Sequence, residues 1–122
     1  MGFKLASDRK IIVAPRMKIS VSVLTQTGGH ADFLLPSGFT DPLLPLSDGL
    51  EWPNGVCDGV DEVRKTTRAI FRAGADFLKL CSTGGVMSPS DEPETTQFTR
   101  EEISVMVEEA GALGKKCAAH AH

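Results

Sequence analysis

Just past its midpoint the chain reads Asp76-Phe-Leu-Lys-Leu-Cys81, an apolar run with a lysine near its centre. The length of the run and its apolar composition predict a β-strand. Because burying an isolated ammonium group costs several kcal/mol, Lys79 must be neutralised, paired or chemically modified in such a strand. Two simpler explanations stay open: an edge strand, or a lysine whose stem packs on apolar surface while its head reaches water.

A second apolar strand is predicted at the end of the sequence, from Lys116 to His122. Side chains alternate across a strand, so His120 and His122 share one face, as Lys79 and Cys81 share theirs. A helix-length segment separates the two strands, and strands joined in this way are usually parallel and close in the sheet. The pattern therefore predicts that Lys79 and His120 converge.

The remaining sequence completes a βαβαβ order. Alternation over Met17–Leu24 predicts a first strand. One face of this strand is predicted to carry Met17, Ile19, Val21 and Val23. The segment of about residues 31–57 is rich in proline and glycine and predicts a long loop, a feature that is often functional. Phe33 and Trp52 in this loop are candidates for a lid or for a small core of its own.

Two helices are predicted between the strands. The first opens at Asp58-Gly-Val-Asp61 and stops at Gly74. Its packed stripe is predicted to be Val60, Val63, Thr67, Ile70 and Phe71. The second opens at a capping box, Thr99-Arg-Glu-Glu102, and ends at Gly114. Its inward residues are predicted to be Ile103, Met106, Val107 and Ala110.

Composition narrows the range of partners. With 122 residues the chain fits one small domain, and its net charge of -3 provides no basic face for nucleic acid or anionic membranes. A small-molecule partner is therefore expected. No close-spaced cysteine pair is present among Cys57, Cys81 and Cys117, which favours reduced, packed thiols in a cytoplasmic protein. No stretch has the pattern of a signal peptide or a membrane span.

Several polar residues are predicted to share one edge of the sheet. In α/β folds with parallel strands, chemistry is concentrated at the carboxyl ends of the strands. Thr27-Gly-Gly-His30, Lys79 with Thr83-Gly-Gly85, and His120 all fall at or near such ends. A neutral lysine amine can take up carbon dioxide to form a carbamate that bridges two cations, and burial favours the neutral amine. His120 would supply the imidazole nitrogen that zinc and similar ions prefer.

Three stretches of sequence carry a resemblance to a known family. They are Thr25-Gln-Thr-Gly-Gly-His-Ala-Asp32, Gly74-Ala-Asp-Phe-Leu-Lys-Leu-Cys-Ser-Thr-Gly-Gly-Val-Met-Ser-Pro89 and Gly114-Lys-Lys-Cys-Ala-Ala-His-Ala-His122. Together they closely resemble the metal-dependent amidohydrolase superfamily, and the nearest branch is the imidazolonepropionase-like and Xaa-Pro dipeptidase-like enzymes. The resemblance runs from about Pro15 to the last residue.

The resemblance implies a fold and a set of metal ligands. The fold is a (β/α)8 barrel, of which residues 1–122 would be a fragment with about the third to fifth strands and the helices between them. Lys79 matches the lysine of the fourth strand, which is carboxylated in that family and bridges two divalent ions, for which zinc is expected here. His120 matches the histidine of the fifth strand, which binds one of these ions.

Two further histidines are candidates for substrate contacts. His30 follows the strand matched to the third barrel strand and is expected to line the substrate pocket, with anchoring of the long loop as the alternative. His122 has no assigned place in the family pattern. It is a candidate for contact with substrate or water, and simple exposure is the alternative.

The family chemistry implied is hydrolysis of C–N bonds in amides, cyclic amides or dipeptides by a metal-activated hydroxide. The His-x-His pair of the first strand, the histidine of the sixth and the aspartate of the eighth, which transfers protons, have no counterpart in this sequence. No catalytic residue is therefore expected within the fragment, and the isolated chain is expected to be inactive. The alternative function is a non-catalytic half-barrel module that self-associates or pairs with a partner chain through unpaired strand edges.

Three smaller alternatives concern single segments. Ser82-Thr-Gly-Gly85 could cradle an anion with its backbone amides, and a tight turn is the competing interpretation. Cys81 could act as a nucleophile, but its apolar strand favours a packed thiol. The carboxylates of Asp91, Glu92 and Glu94 are expected to form a solvated acidic loop rather than a ligand set.

Overall fold

The computed structural model describes residues 1–34, 37–38, 53–86 and 91–122. In these residues the elements are α1 (Gly2–Asp8), β1 (Val23–Leu24), α2 (Gly59–Arg72), β2 (Leu78–Cys81), α3 (Arg100–Ala112) and β3 (Cys117–His120). The strands form one parallel sheet in the order β1-β2-β3. The predicted α/β class and βαβαβ order are confirmed, and α1 is an addition that the sequence patterns did not indicate.

The core lies between the sheet and the helices α2 and α3. Leu78 and Leu80 of β2 are buried in it, together with Ile70 of α2 and Met106 of α3. Because side chains alternate along a strand, Lys79 points to the opposite face of the sheet. Among the described strands β2 is the central one, so the explanation that Lys79 lies on an edge strand is wrong.

The first strand is much shorter than predicted. Val21 has φ of 66°, which breaks the extended conformation, and only Val23–Leu24 are in the strand. The backbone of Ile19 is bonded elsewhere: its N–H donates to the Asp76 carboxylate at 2.9 Å, and its carbonyl accepts from the Asp76 N–H at 2.8 Å. The predicted alternation over Met17–Leu24 is therefore wrong, and Leu24 rather than Val23 is fully buried.

Helix α2 follows its predicted boundaries. Asp58 is the N-cap, and Gly74 has φ of 97° just beyond the C-cap, a conformation that favours glycine. The predicted stripe is confirmed for Val63, Thr67, Ile70 and Phe71, which are buried. Val60 was assigned to it wrongly, because it lies in the first turn and is 37% exposed.

Helix α3 begins with the predicted capping box. The Thr99 side chain accepts from the Glu102 N–H, and the Glu102 carboxylate accepts from the Thr99 N–H. Met106 and Ala110 are buried and Ile103 packs on the core, as predicted. Val107 was assigned inward wrongly, since it is 53% exposed and Val105 is buried in its place. The helix face that meets the core is therefore rotated relative to the predicted one.

The last strand ends at His120 rather than at His122. The His120 carbonyl accepts from the Ser82 N–H at 2.9 Å, which closes the pairing with β2. The His122 N–H then donates to the Thr83 hydroxyl at 3.1 Å instead of continuing the ladder. A side chain thus replaces the sheet partner and the strand terminates.

The predicted long loop lies largely outside the described residues, because residues 35–36 and 39–52 are not among them. The lid interpretation of Trp52 falls in that part, and Phe33 is 47% exposed. Within the described ranges, no helix is long and apolar enough to cross a lipid bilayer.

Candidate active site at the carboxyl edge of the sheet

The three histidines of the chain meet beyond the carboxyl ends of the strands. The rings of His30 and His120 are stacked, with centroids 4.9 Å apart and planes 14° from parallel. The His122 ring meets His120 edge-on at 4.7 Å, and the Nε2 atoms of these two residues are 3.0 Å apart. The predicted convergence at one edge is confirmed for His30 and His120, although their roles stay predictions.

Lys79 lies in the middle of the sheet, paired with Val23 on one side and Ala118 on the other. Lys79 is half-buried. It lies on the same sheet face as Cys81, two residues further along β2, and Cys81 pairs with His120 of β3. Lys79 and His120 therefore share that face. A positive charge on Lys79 helps to lower the pKa of His120, and at Cys81 it opposes the larger effect of burial, which raises the pKa. Lys79 therefore lies close enough to His120 to act on its imidazole.

The pKa of the His120 imidazole is lowered from its ordinary value of 6.5. Desolvation is the main cause, followed by the positive charge that His122, His30 and Lys79 would place beside it. A lowered pKa favours the neutral imidazole, which is the form that binds a metal ion. The donor chemistry of His120 therefore fits the metal-ligand prediction.

Gly85 makes room for the His30 ring. A Cβ atom at this position would collide with Cε1 and Nδ1 of His30. Its neighbour Gly84 lies against the Glu92 carbonyl, and the Gly84 N–H donates to the Thr95 carbonyl at 2.9 Å. That amide is engaged within the protein, so the anion-cradle alternative is wrong at Gly84.

Two fully buried polar residues at this edge were not predicted from the sequence. Thr25 is 0% exposed and Gln97 is 1% exposed, and their side chains are hydrogen-bonded at 3.1 Å. The Gln97 amide also donates to the Asp91 carboxylate at 2.8 Å. Asp91 is therefore half-buried and bonded rather than solvated, whereas Glu92 and Glu94 are exposed as predicted. No local sequence signal marks Gln97 as buried, because its partner Thr25 lies 72 residues away in the chain.

The His30 segment is tied down by carboxylates. Asp58, the N-cap of α2, accepts from the Thr27 N–H at 3.1 Å and from the Thr27 hydroxyl at 2.5 Å. The Asp32 carboxylate accepts from the Gly28 N–H at 2.8 Å. These bonds fix both ends of the turn that carries His30, so the ring is presented from an ordered segment.

The cysteines are packed thiols. All three are free, and burial raises the pKa of each of them. The effect is greatest at Cys57, where burial and then the negative charge of Glu62 raise the pKa to about 12. At Cys81 burial outweighs the lowering effect of Lys79. A nucleophilic role for Cys81 is therefore disfavoured.

We expect slow alkylation of these thiols in the folded chain. At pH 8 the raised pKa of Cys57 leaves a thiolate population about a thousandfold below that of an ordinary cysteine. Iodoacetamide labelling followed by peptide mass spectrometry should show little modification at Cys57 and Cys81 in the folded chain and complete modification in urea. Rapid labelling of Cys81 before unfolding would contradict the packed-thiol interpretation.

The metal-ligand set is incomplete among the described residues. They contain no group of three or more His, Cys, Asp or Glu side chains arranged to hold an ion. Lys79 and His120 have suitable chemistry for ligands, as a carbamate former and a neutral imidazole. Further ligands are required to complete a site.

The carboxyl edge of a parallel sheet is where α/β proteins commonly carry their functional residues, and the polar side chains described above gather there. The sequence profile of the amidohydrolase family matches residues 3–122. Ochratoxinase of Aspergillus niger is 39% identical over 117 residues, which cover 91% of this chain and 24% of that protein. This chain belongs to the amidohydrolase family.

Solved structures agree with this assignment. A prolidase complexed with N-methylphosphonate-L-proline matches with a TM-score of 0.83 and 33% identity, over 99% of this chain and 29% of that one. The A. niger ochratoxinase structure matches with a TM-score of 0.80 and 36% identity, over 97% and 29% of the two chains. A Xaa-Pro dipeptidase with methionine in its active site has a TM-score of 0.79 and 31% identity, over 99% and 29%. This chain thus spans less than a third of these relatives.

Proposed function

We propose that this chain is a fragment of a metal-dependent hydrolase of C–N bonds and supplies about the third to fifth strands of a (β/α)8 barrel. The observation that carries the proposal is the meeting of His30, His120 and His122 at the carboxyl edge of the sheet, with Lys79 in the central strand beside them. Family membership and the similarity to a prolidase, a Xaa-Pro dipeptidase and ochratoxinase support it.

Lys79 is assigned the role of a carboxylated bridging ligand. The neutral Nζ attacks carbon dioxide, a new N–C bond forms, and the proton of the amine leaves to solvent. The resulting carbamate would supply oxygen ligands to two divalent ions, for which zinc is the expected metal. The half-buried position of Lys79 in the central strand, on the sheet face that it shares with His120, supports this assignment.

The histidines are assigned different tasks. His120 would hold one metal ion through an imidazole nitrogen, and its lowered pKa supports that role. His30 and His122 contact the substrate, which is an amide, a cyclic amide or a dipeptide. Bound metal ions supply Lewis acidity to the substrate carbonyl and to the attacking water. The residues of this chain bind and orient, and the isolated chain is inactive because it spans 24% of the ochratoxinase length.

An alternative function is a non-catalytic module that self-associates or pairs with a partner chain. In the described residues β3 is an edge strand, and its Ala118 and Ala119 are exposed. An unpaired parallel edge of this kind favours association with another strand. The free, packed cysteines support a cytoplasmic location for either function.

The test of the hydrolase proposal is metal content with Lys79→Ala as the variant. After addition of zinc and bicarbonate, the natural-length protein that contains this chain should hold metal in stoichiometric amounts. Lys79→Ala and His120→Ala should each lose most of it, because each removes a ligand. Lys65→Ala is the matched control, since Lys65 is an exposed lysine of α2.

A second readout of the same samples detects the carbamate directly. Isotopically labelled bicarbonate should give a carbamate carbon resonance that is present in the unsubstituted protein and in Lys65→Ala, and absent in Lys79→Ala. Full metal content in Lys79→Ala would refute the bridging role. Absence of both bound metal and C–N bond hydrolysis in the unsubstituted protein would refute the proposed function as a whole.

A further inference from the structure

A buried chain of hydrogen bonds runs beneath the turn that carries His30. The Ala31 N–H donates to the Thr25 hydroxyl at 3.3 Å, and that hydroxyl donates to Gln97 Oε1 at 3.1 Å. Gln97 Nε2 donates in turn to the Asp91 carboxylate at 2.8 Å. Every bond points in the same direction, toward the carboxylate, and bonds in such a chain polarise and strengthen one another.

Thr25 and Gln97, the two central residues of this series of hydrogen bonds, are also held through their backbones. The Thr25 N–H donates to the Gly55 carbonyl, and the Thr25 carbonyl accepts from the Cys57 N–H, both at 3.0 Å. The Gln97 N–H donates to the Ser82 carbonyl at 2.9 Å, directly after β2. The hydrogen bond between Thr25 and Gln97 therefore joins the end of β1 to the end of β2.

The turn of residues 26–31 rests directly on this bond. A Cβ atom at Gly29 would lie 2.5 Å from Thr25 Oγ1 and 2.6 Å from Gln97 Oε1, so the backbone of the turn is in close contact with both side chains. Gln26 adds a second attachment, because its Oε1 accepts from the Phe98 N–H at 3.1 Å. Gly29 and Ala31 flank His30, so the contacts of both neighbours set the backbone from which its ring projects.

We propose that Thr25 and Gln97 are positioning residues that place the His30 imidazole against Gly85 and His120. The hydroxyl of Thr25 is required because it accepts from the turn and donates to Gln97, and a methyl group in its place does neither. The amide of Gln97 is required because it accepts from Thr25 and donates to Asp91, and a carboxylate in its place cannot donate. The effect on hydrolysis rests on the proposed function, whereas the effect on the ring position does not.

The test compares substitutions of nearly equal volume. Thr25→Val removes the hydroxyl and Thr25→Ser retains it. Gln97→Glu retains the acceptor for Thr25 and removes the donor to Asp91. Thr67→Val is the matched control, because Thr67 is also 0% exposed and its hydroxyl has no hydrogen-bond partner within the described structure.

The first readout is the nuclear Overhauser effect between the ring protons of His30 and His120 in the purified chain. Their ring centroids are 4.9 Å apart, so the signal should be strong in the unsubstituted chain and in Thr67→Val. It should be lost or weakened severalfold in Thr25→Val and Gln97→Glu, and restored in Thr25→Ser. Retention of the signal in folded Thr25→Val or in folded Gln97→Glu would overturn the proposal.

The second readout is steady-state kinetics in the natural-length protein. Thr25→Val should lower kcat/KM by about tenfold, the size of effect typical of residues that support a ligand from behind, and Thr25→Ser should recover most of it. If the variants lose the ring signal and the unsubstituted protein shows no hydrolysis, the positioning role is supported and the proposed function is contradicted. Hydrolysis that Thr25→Val leaves unchanged would overturn the claim that the position of His30 affects hydrolysis.

Discussion

Gly55→Ala is expected to lower the free energy of unfolding by about 3 kcal/mol or more, which is large for a change of one methyl group. Gly55 is buried, and a Cβ atom there would overlap the carbonyl group of Val23 and touch the Ser22 hydroxyl. The obstacle is backbone, so no side chain can rotate away. The Thr25 N–H donates to the Gly55 carbonyl at 3.0 Å, which holds the two segments at this separation.

Gly111→Ala is the matched control, with an expected effect of opposite sign. Gly111 lies within α3, and an added Cβ would meet nothing within 4 Å. Alanine in a helix is more favourable than glycine by up to about 1 kcal/mol. Urea unfolding of both variants, followed by circular dichroism, measures the difference. Equal stability of Gly55→Ala and the unsubstituted chain would show that the approach of residue 55 to β1 is wrong.

Glu102→Gln is expected to destabilise the chain by about 2 kcal/mol at pH 7. One carboxylate bonds the starts of two helices: Oε1 accepts from the Gly59 N–H of α2, and Oε2 accepts from the Thr99 N–H before α3, both at 2.6 Å. Glutamine has a single acceptor oxygen and would turn its NH2 group toward the other N–H. One backbone donor would then lose its partner and face a second donor.

The loss of stability caused by Glu102→Gln should depend on pH. Desolvation alone would raise the pKa of Glu102, and Asp58 acts in the same sense, but the hydrogen bonds from Thr99 and Gly59 outweigh them and hold it below the ordinary value of 4.5. A carboxyl group with a lowered pKa stabilises the fold above its unfolded pKa and loses that contribution as pH falls through its folded pKa. The difference between the unsubstituted chain and Glu102→Gln should therefore be full at pH 7 and shrink as pH falls below about 4.5.

Glu101→Gln is the control for this experiment. Glu101 lies beside Glu102 in the first turn of α3 and is exposed, so its charge acts mainly through the helix dipole. That contribution is under about 1 kcal/mol. Urea titrations of both variants at several pH values provide the comparison. A loss in Glu102→Gln that stays constant down to pH 3 would contradict the ionised bridge between the two helices.

The amino-acid sequence determined the features that depend on neighbours in the chain. The helix start at Thr99 and the stops at Gly74 and Gly114 follow from capping chemistry within a few residues. The start at Asp58 is also where the sequence predicts, although the Asp58 carboxylate makes no cap bond and accepts from Thr27 instead. The βαβαβ order and its parallel pairing follow from periodicity and connection length. The same order carried His30 and His120 to one edge of the sheet.

Only the tertiary structure decided which of these local patterns were overridden and which distant partners met. The alternating pattern over Met17–Leu24 does not form a full strand, because Val21 has a positive φ and the Ile19 backbone is hydrogen-bonded to Asp76, 57 residues away. The bond between Thr25 and Gln97 spans 72 residues, and the one between Gly59 and Glu102 spans 43. A buried polar group requires a partner wherever the fold supplies one, and periodicity and caps carry no information about partners so far apart.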